Sequence, residues 1–216
     1  MAETETGSAA ERRSAAVTWL RRVRVVLVAG IVAALAVLGV TALRTRAVPT
    51  FHGTAYDPAP APALALHGVD GRPASLADFR GRPVFVYFGY THCPDVCPLT
   101  LSRLVAALAA AGKDGKEARI LFVTVDPARD TPAVLAEYAR RMGPQVVALT
   151  GDSASIERAK AGYGAYVVPM PHGVHGGMGH SSAVYGIDRQ GRLRVLIGDS
   201  ATRDEIGGDV RTLVGI

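Results

Sequence analysis

Cysteine is nearly absent from this chain: Cys93 and Cys97 are the only two in 216 residues. No other cysteine can pair with either, which excludes a structural disulfide framework elsewhere and leaves one local pair, four residues apart. Also missing is any basic stripe interleaved with aromatics. The net charge of +5 and a pI near 9.5 suggest an anionic partner until the charge is partitioned. Residues 1–46 hold seven arginines against Glu3, Glu5 and Glu11, leaving 17 Lys and Arg against 16 Asp and Glu in residues 47–216. The positive excess belongs to the N-terminus, and nucleic-acid binding is not expected. No internal repeat is present, so solenoid architectures are excluded as well.

What is there begins with an apolar run. Residues 25–43 contain no charge and no proline. At 1.5 Å per residue they span roughly 28 Å, the thickness of a bilayer core. Arg12, Arg13, Arg21, Arg22 and Arg24 precede the run, and only Arg44 and Arg46 follow closely. That bias places residues 1–24 in the cytoplasm and the rest of the chain outside. A cleaved signal peptide is the rival reading, but Arg44-Thr45-Arg46 is a poor small-residue cleavage site. A buried core helix fits badly with a face that is apolar all round. The three early glutamates are unlike an acid-poor transit peptide, which favours a bacterial cytoplasmic membrane with a periplasmic C-terminal portion.

Residues 44–62, with Pro49, Pro58, Pro60 and Pro62, read as an extended spacer and not a packed element. Residues 63–216 are long enough for one domain with a substantial core. There the sequence alternates strand and helix patterns: strands at 63–66, 84–88, 120–125 and 146–149, and helices at 99–111, 131–141 and 153–161. A hairpin follows, with arms 182–187 and 193–197 about Asp188-Arg189-Gln190-Gly191-Arg192, and a closing helix at 204–214. This predicts an α/β sandwich of the thioredoxin type, with a central mixed sheet, a late β-hairpin and an N-terminal transmembrane helix.

The cysteines stand where the continuous apolar strand at 84–88 hands over to a helix. A helix N-terminus favours thiolate over thiol. Residues at i and i+4 also face the same way, so the pair can close a disulfide or grip a soft metal ion. Buried, inert cysteines are the plain alternative. The exported setting, the Pro- and Asp-containing turn and the position at the C-terminal end of a central strand argue against it.

A Gly-rich segment from Pro169 to Ser182 carries Met170, His172, His175, Met178 and His180. Imidazole and thioether both bind copper. Met170, His172, His175 and Met178 read as incidental loop residues. His180 stands at the mouth of the next strand and can be aimed at the cysteine helix. Two thiolates and one neutral imidazole would hold Cu(I) and could also accept Cu(II). His52 and His67 have no neighbours in sequence that make a site, and His92 lines or tunes the pair at most. At the end of the adjacent strand, Asp130 and Thr131 serve the following helix start. Asp126 and Arg129 can pair and brace the cysteine loop.

The segment from Tyr87 through Cys93-Pro94-Asp95-Val96-Cys97-Pro98, the run Val123-Thr124-Val125-Asp126-Pro127 with Asp130-Thr131-Pro132, and His180-Ser181 with Tyr185-Gly186-Ile187-Asp188 resemble the Sco/SenC family. The similarity keeps its order over residues 63–216. It implies a thioredoxin-like domain outside the membrane, copper held by Cys93, Cys97 and His180, and delivery of that copper to the binuclear copper site of cytochrome c oxidase subunit II. Reduction of that target's cysteines is also credited to members, which brings in a thiol reductant. Many relatives have an acidic residue before the ligand histidine, where this chain has Gly179. A thiol–disulfide oxidoreductase without copper delivery is the alternative. It leaves His180 without a role, and three residues separate the cysteines where the usual dithiol motif has two. A peroxiredoxin-type peroxidase would want a Thr three residues before its cysteine, and Thr91 lies two before Cys93.

Overall fold

The structure is a computed structural model that describes residues 4–44, 49–169, 178–180 and 182–216. It divides into two compact units, residues 1–48 and 49–216. The first is one helix, α1 (Thr4–Arg44), whose stretch Trp19–Gly39 is long and apolar enough to cross a membrane. The helix thus begins well before the apolar run, and Arg12, Arg13, Arg21, Arg22 and Arg24 lie on the same continuous helix.

The second unit contains β1 (Thr54–Pro60), β2 (Ala65–Gly68), β3 (Pro73–Ser75), β4 (Val84–Gly89), α2 (Val96–Ala110), α3 (Gly112–Glu117), β5 (Arg119–Thr124) and α4 (Pro132–Met142). It continues with β6 (Val146–Thr150), α5 (Ser153–Tyr163), β7 (Val167–Pro169), β8 (Met178–His180), β9 (Val184–Ile187), β10 (Arg192–Ile197) and α6 (Arg203–Val214). Eight strands form one mixed sheet in the order β1-β10-β9-β4-β5-β6-β2-β3, while β7 and β8 form a separate ribbon. Strands β4, β5 and β6 are parallel, and the expected late hairpin is β9–β10.

Alternation along the central strands builds two cores. Phe85 and Tyr87 of β4 and Ile120 and Phe122 of β5 face one side, against Leu101, Leu104 and Leu108 of α2 and Val210 and Leu213 of α6. Val84, Val86 and Phe88, with Leu121 and Val123, face the other, against Ile156, Ala159 and Tyr163 of α5. A strand buried on both faces loses the polar/apolar alternation, which is why β4 reads as a continuous apolar run.

Two expectations change. The spacer expected over residues 44–62 contains β1, which pairs antiparallel with β10 through Thr54↔Leu196 and Pro60↔Arg192. It is an exposed edge strand, and an edge can hold Pro58 and Pro60 because it needs only one row of ladder bonds. Composition alone did not separate that strand from an extended tether. His52, just before it, is also held: its backbone N–H donates to the buried Asp209 carboxylate at 2.6 Å, and that of Gly53 at 2.9 Å. The second change concerns the strand after the Gly-rich segment, which begins at Val184 and not at residue 182. His180 therefore lies not at the mouth of that strand but in β8.

Candidate functional site

The central parallel strand β4 ends at Gly89, and the chain turns through residues 90–95 into α2. The Cys93 N–H donates to the Tyr90 carbonyl at 3.3 Å, and the Leu99 N–H to that of Asp95 at 3.1 Å. Pro98 falls in the first helical turn, where its missing N–H removes no helix bond. This early helix start brings Cys97 inside α2, with its N–H 3.4 Å from the Cys93 sulfur. Both sulfurs thus belong to one tight turn, as the i, i+4 spacing predicts.

The pair is asymmetric. Both residues are cysteine thiols, Cys93 half-buried and Cys97 fully buried. The Cys97 thiol is pushed up, first by its hydrogen bond with Cys93 and then by burial; the Tyr90 backbone and the Tyr87 hydroxyl pull weakly the other way. The neighbouring sulfur and burial thus act against the thiolate preference expected from the position at a helix start. Cys93 is the sulfur an incoming group can reach.

Gly89 makes room for this arrangement. A Cβ there would lie 2.8 Å from the Phe122 ring, 3.0 Å from the Cys97 sulfur and 3.2 Å from the Tyr87 ring. Below the sulfurs lies an aromatic floor, with Tyr87 and Phe122 ring centres 6.2 Å apart and Phe122 and Tyr138 5.0 Å apart.

The brace on the cysteine loop is Asp130, not Asp126 or Arg129. Its carboxylate is fully buried and accepts from the Thr91 N–H at 3.0 Å, the Thr91 hydroxyl at 2.5 Å and the Thr124 hydroxyl at 2.6 Å. His92 Nδ1 lies 3.4 Å from the same carboxylate. Asp126 and Arg129 do pair with each other, and Thr131 caps α4, both as expected. Gly89, Asp130 and the two tyrosines were not singled out for these roles from sequence. The run Val84–Gly89 with a glycine just before the loop was the available signal for Gly89.

His180 is placed by backbone pairing opposite Val167, in a ribbon that also sets Gly179 against Val168 and Met178 against Pro169. Met170, His172 and His175 lie outside the described residues. Among the described residues, no group of three or more His, Cys, Asp or Glu side chains is gathered as a metal site. The structure does bring Cys93 and Cys97 together, and two soft sulfurs on one turn, one reachable and one buried, suit a soft cation.

A profile of the SCO1/SenC family matches residues 59–215. The chain belongs to the SCO1/SenC family. It is 34% identical over 145 residues to the mitochondrial SCO2 homolog of Mus musculus, covering 65% of this chain and 57% of that protein. The chain spans little more than half the length of the curated mitochondrial SCO relatives it matches. Among solved structures, Bradyrhizobium japonicum ScoI with copper bound superposes with a TM-score of 0.61 at 34% identity, over 72% of this chain and 99% of that one. Yeast Sco1 with copper bound gives 0.59 at 31% identity, over 68% and 83%. Membership places the cysteine turn on the thioredoxin-like scaffold of this family, as its motifs implied.

Proposed function

We propose that this protein is a membrane-anchored copper carrier whose ligands are Cys93, Cys97 and His180. The supporting observation is the cysteine turn: two sulfurs fixed at the end of the central strand, in a chain whose SCO1/SenC relatives include copper-bound structures spanning the same domain. The cargo enters as a soft ion, Cu(I) foremost, with Cu(II) also accommodated. Two sulfurs lose their protons to bind it, so loading requires the reduced pair. The recipient is the binuclear copper site of cytochrome c oxidase subunit II or another cuproprotein. Val96 and Leu99 on the first turns of α2, three and six residues after Cys93, are exposed and offer an approaching protein an apolar surface.

In this reading residues 1–24 are cytoplasmic, residues 25–43 cross the membrane, and the copper-binding domain stands outside. Titrating the reduced full chain with copper tests the assignment. One ion per chain is expected, with binding lost on Cys93→Ala or Cys97→Ala and weakened on His180→Ala. A reporter fused after Ile216 checks the topology; cytoplasmic reporter activity would refute it. The closeness of the two sulfurs also supports a thiol–disulfide oxidoreductase. That reading takes over if His180→Ala binds copper like wild type while disulfide exchange with a partner persists.

A further inference from the structure

The near-neutral charge of residues 47–216 conceals a separation along the central strand. β4 begins just after Arg80 and Arg82 and ends at the cysteine turn. Its register, Val84↔Arg119 and Val84↔Ile187, sets the end of α3 and the β9–β10 turn beside its first residues, at the end remote from the cysteines. Side chains join these segments. Arg80 donates to the Gln190 carbonyl at 3.0 Å, and Arg189 to the Gly81 carbonyl at 3.0 Å and to Glu117 at 2.9 Å. Across residues 80–82, 112–119 and 188–194, eight Lys and Arg stand against three Asp and Glu, leaving nine against thirteen over the rest of residues 47–216. The three carboxylates are already taken: Asp114 and Glu117 pair with Arg189, and Asp188 with Arg192 and Arg194. Arg80, Arg82, Lys113, Lys116 and Arg119 are left without a carboxylate at ion-pair distance among the described residues. The first four are exposed. Arg119 donates to the carbonyls of Lys116, Glu117 and Ala118, and burial and then the nearby Arg82 pull its guanidinium below the ordinary arginine range. Two cations crowded without a counter-charge carry a cost that an anion brought alongside removes.

We propose that this end of the domain docks on an anionic lipid surface through those five cations, leaving the cysteine turn at the opposite end of β4 uncovered. Lipid is chosen over an acidic protein because of what the patch lacks. A protein interface has an apolar core inside its polar rim, whereas lipid phosphates ask only for charge. Among the described residues of 49–216, the large exposed apolar side chains are Tyr56, Val96, Leu99, Val134 and Tyr166, and all lie outside the three basic segments. The acidic excess over the rest of the domain disfavours other orientations on such a surface. The inference rests on reading residues 25–43 as a membrane span, which brings the domain to a bilayer, and holds whether the cysteine pair carries copper or exchanges disulfides.

The test reconstitutes the full chain in vesicles of phosphatidylcholine, alone or mixed with phosphatidylglycerol, and follows amide hydrogen exchange. On the anionic vesicles, exchange across α3 and residues 189–192 should slow by about fivefold or more, while Cys93 keeps its rate of labelling by a neutral maleimide. Salt at about 1 M, where the screening length falls to about 3 Å, should erase the difference. Arg82, Lys113 and Lys116 make no side-chain hydrogen bond or ion pair among the described residues. Replacing all three by Gln should therefore leave the fold intact and return exchange at residues 189–192 to within about twofold of its neutral-vesicle rate. The control Arg140→Gln with Arg141→Gln and Arg158→Gln removes as much charge from α4 and α5 and should keep the full slowing. Equal exchange on the two kinds of vesicle overturns the inference, and an acidic protein then becomes the fitting partner. Slowing that survives the first triple substitution, slowed labelling of Cys93, or slowing by inorganic phosphate on neutral vesicles overturns it too. Alkaline extraction of the vesicles separates this inference from the span. A chain stripped by alkali yet still slowed on anionic vesicles strikes the span and leaves the docking surface standing; a retained chain with equal exchange does the reverse.

Discussion

The sulfur-bearing turn and the ribbon that carries His180 are built to different standards. The turn leaves a central strand buried on both faces, is tied down by the Asp130 carboxylate, and is packed on an aromatic floor with no space for a methyl group at Gly89. The ribbon has three residues in each strand and stands apart from the eight-stranded sheet. Two-stranded pairs are marginal without further support, whereas a turn rooted in the core is fixed before any ion arrives. For the proposed ligand set this means a division of labour: the sulfur arm would decide whether an ion can be held, and the histidine arm would adjust how tightly.

The largest effect expected from this contrast is on Cys97. Replacing it by Ala removes the buried sulfur and should abolish stoichiometric copper binding, read by competition with a cuprous chelator. His180→Ala should weaken binding by more than about 100-fold, exceeding the loss typical of a residue behind a ligand. Its melting temperature should stay at the wild-type value, because the three-residue strand that carries it is not part of the eight-stranded sheet. Equal loss of stability in both variants would break the comparison.

Next comes the brace. Asp130→Ala leaves the Thr91 N–H and the Thr91 and Thr124 hydroxyls without their buried acceptor. It should lower stability by about 3–4 kcal/mol, measured by urea unfolding of the domain unit. Gly89→Ala follows at about 2–3 kcal/mol, since the added methyl meets two rings and a sulfur in a strand that cannot move aside. Both should also weaken copper binding while leaving His180 chemically intact. Copper affinity unchanged in a folded Gly89→Ala protein would show that the sulfur position is not held as tightly as the packing indicates.

Much of this was legible beforehand because it depends on local pattern. The unbroken apolar run of β4, the i, i+4 cysteines and the Thr131-Pro132 helix start each name their own structure within a few residues. The Asp188 hairpin does the same: its carboxylate accepts from the Gln190 and Arg192 N–H groups of the turn itself. What escaped depends on contacts far apart in sequence. Asp130 braces Thr91 from 39 residues away, and His52 reaches Asp209 across 157. β1 escaped for another reason. An exposed edge strand with prolines has the composition of a tether, and only the presence of β10 beside it makes the difference.

The smallest effect concerns the unengaged phenol. The Tyr138 hydroxyl is buried and lacks a partner among the described residues, so folding removes it from water and returns nothing. Tyr138→Phe keeps the ring against Phe122 and deletes only that group. It should raise stability by about 1 kcal/mol, or roughly 2–4 °C in melting temperature for a unit of this size. Burial drives the phenol's ionisation up, so no charged form intervenes and the gain should be flat through neutral pH. A loss of stability instead would mean that the hydroxyl is engaged, and that Tyr138 helps to anchor the floor beneath the two sulfurs.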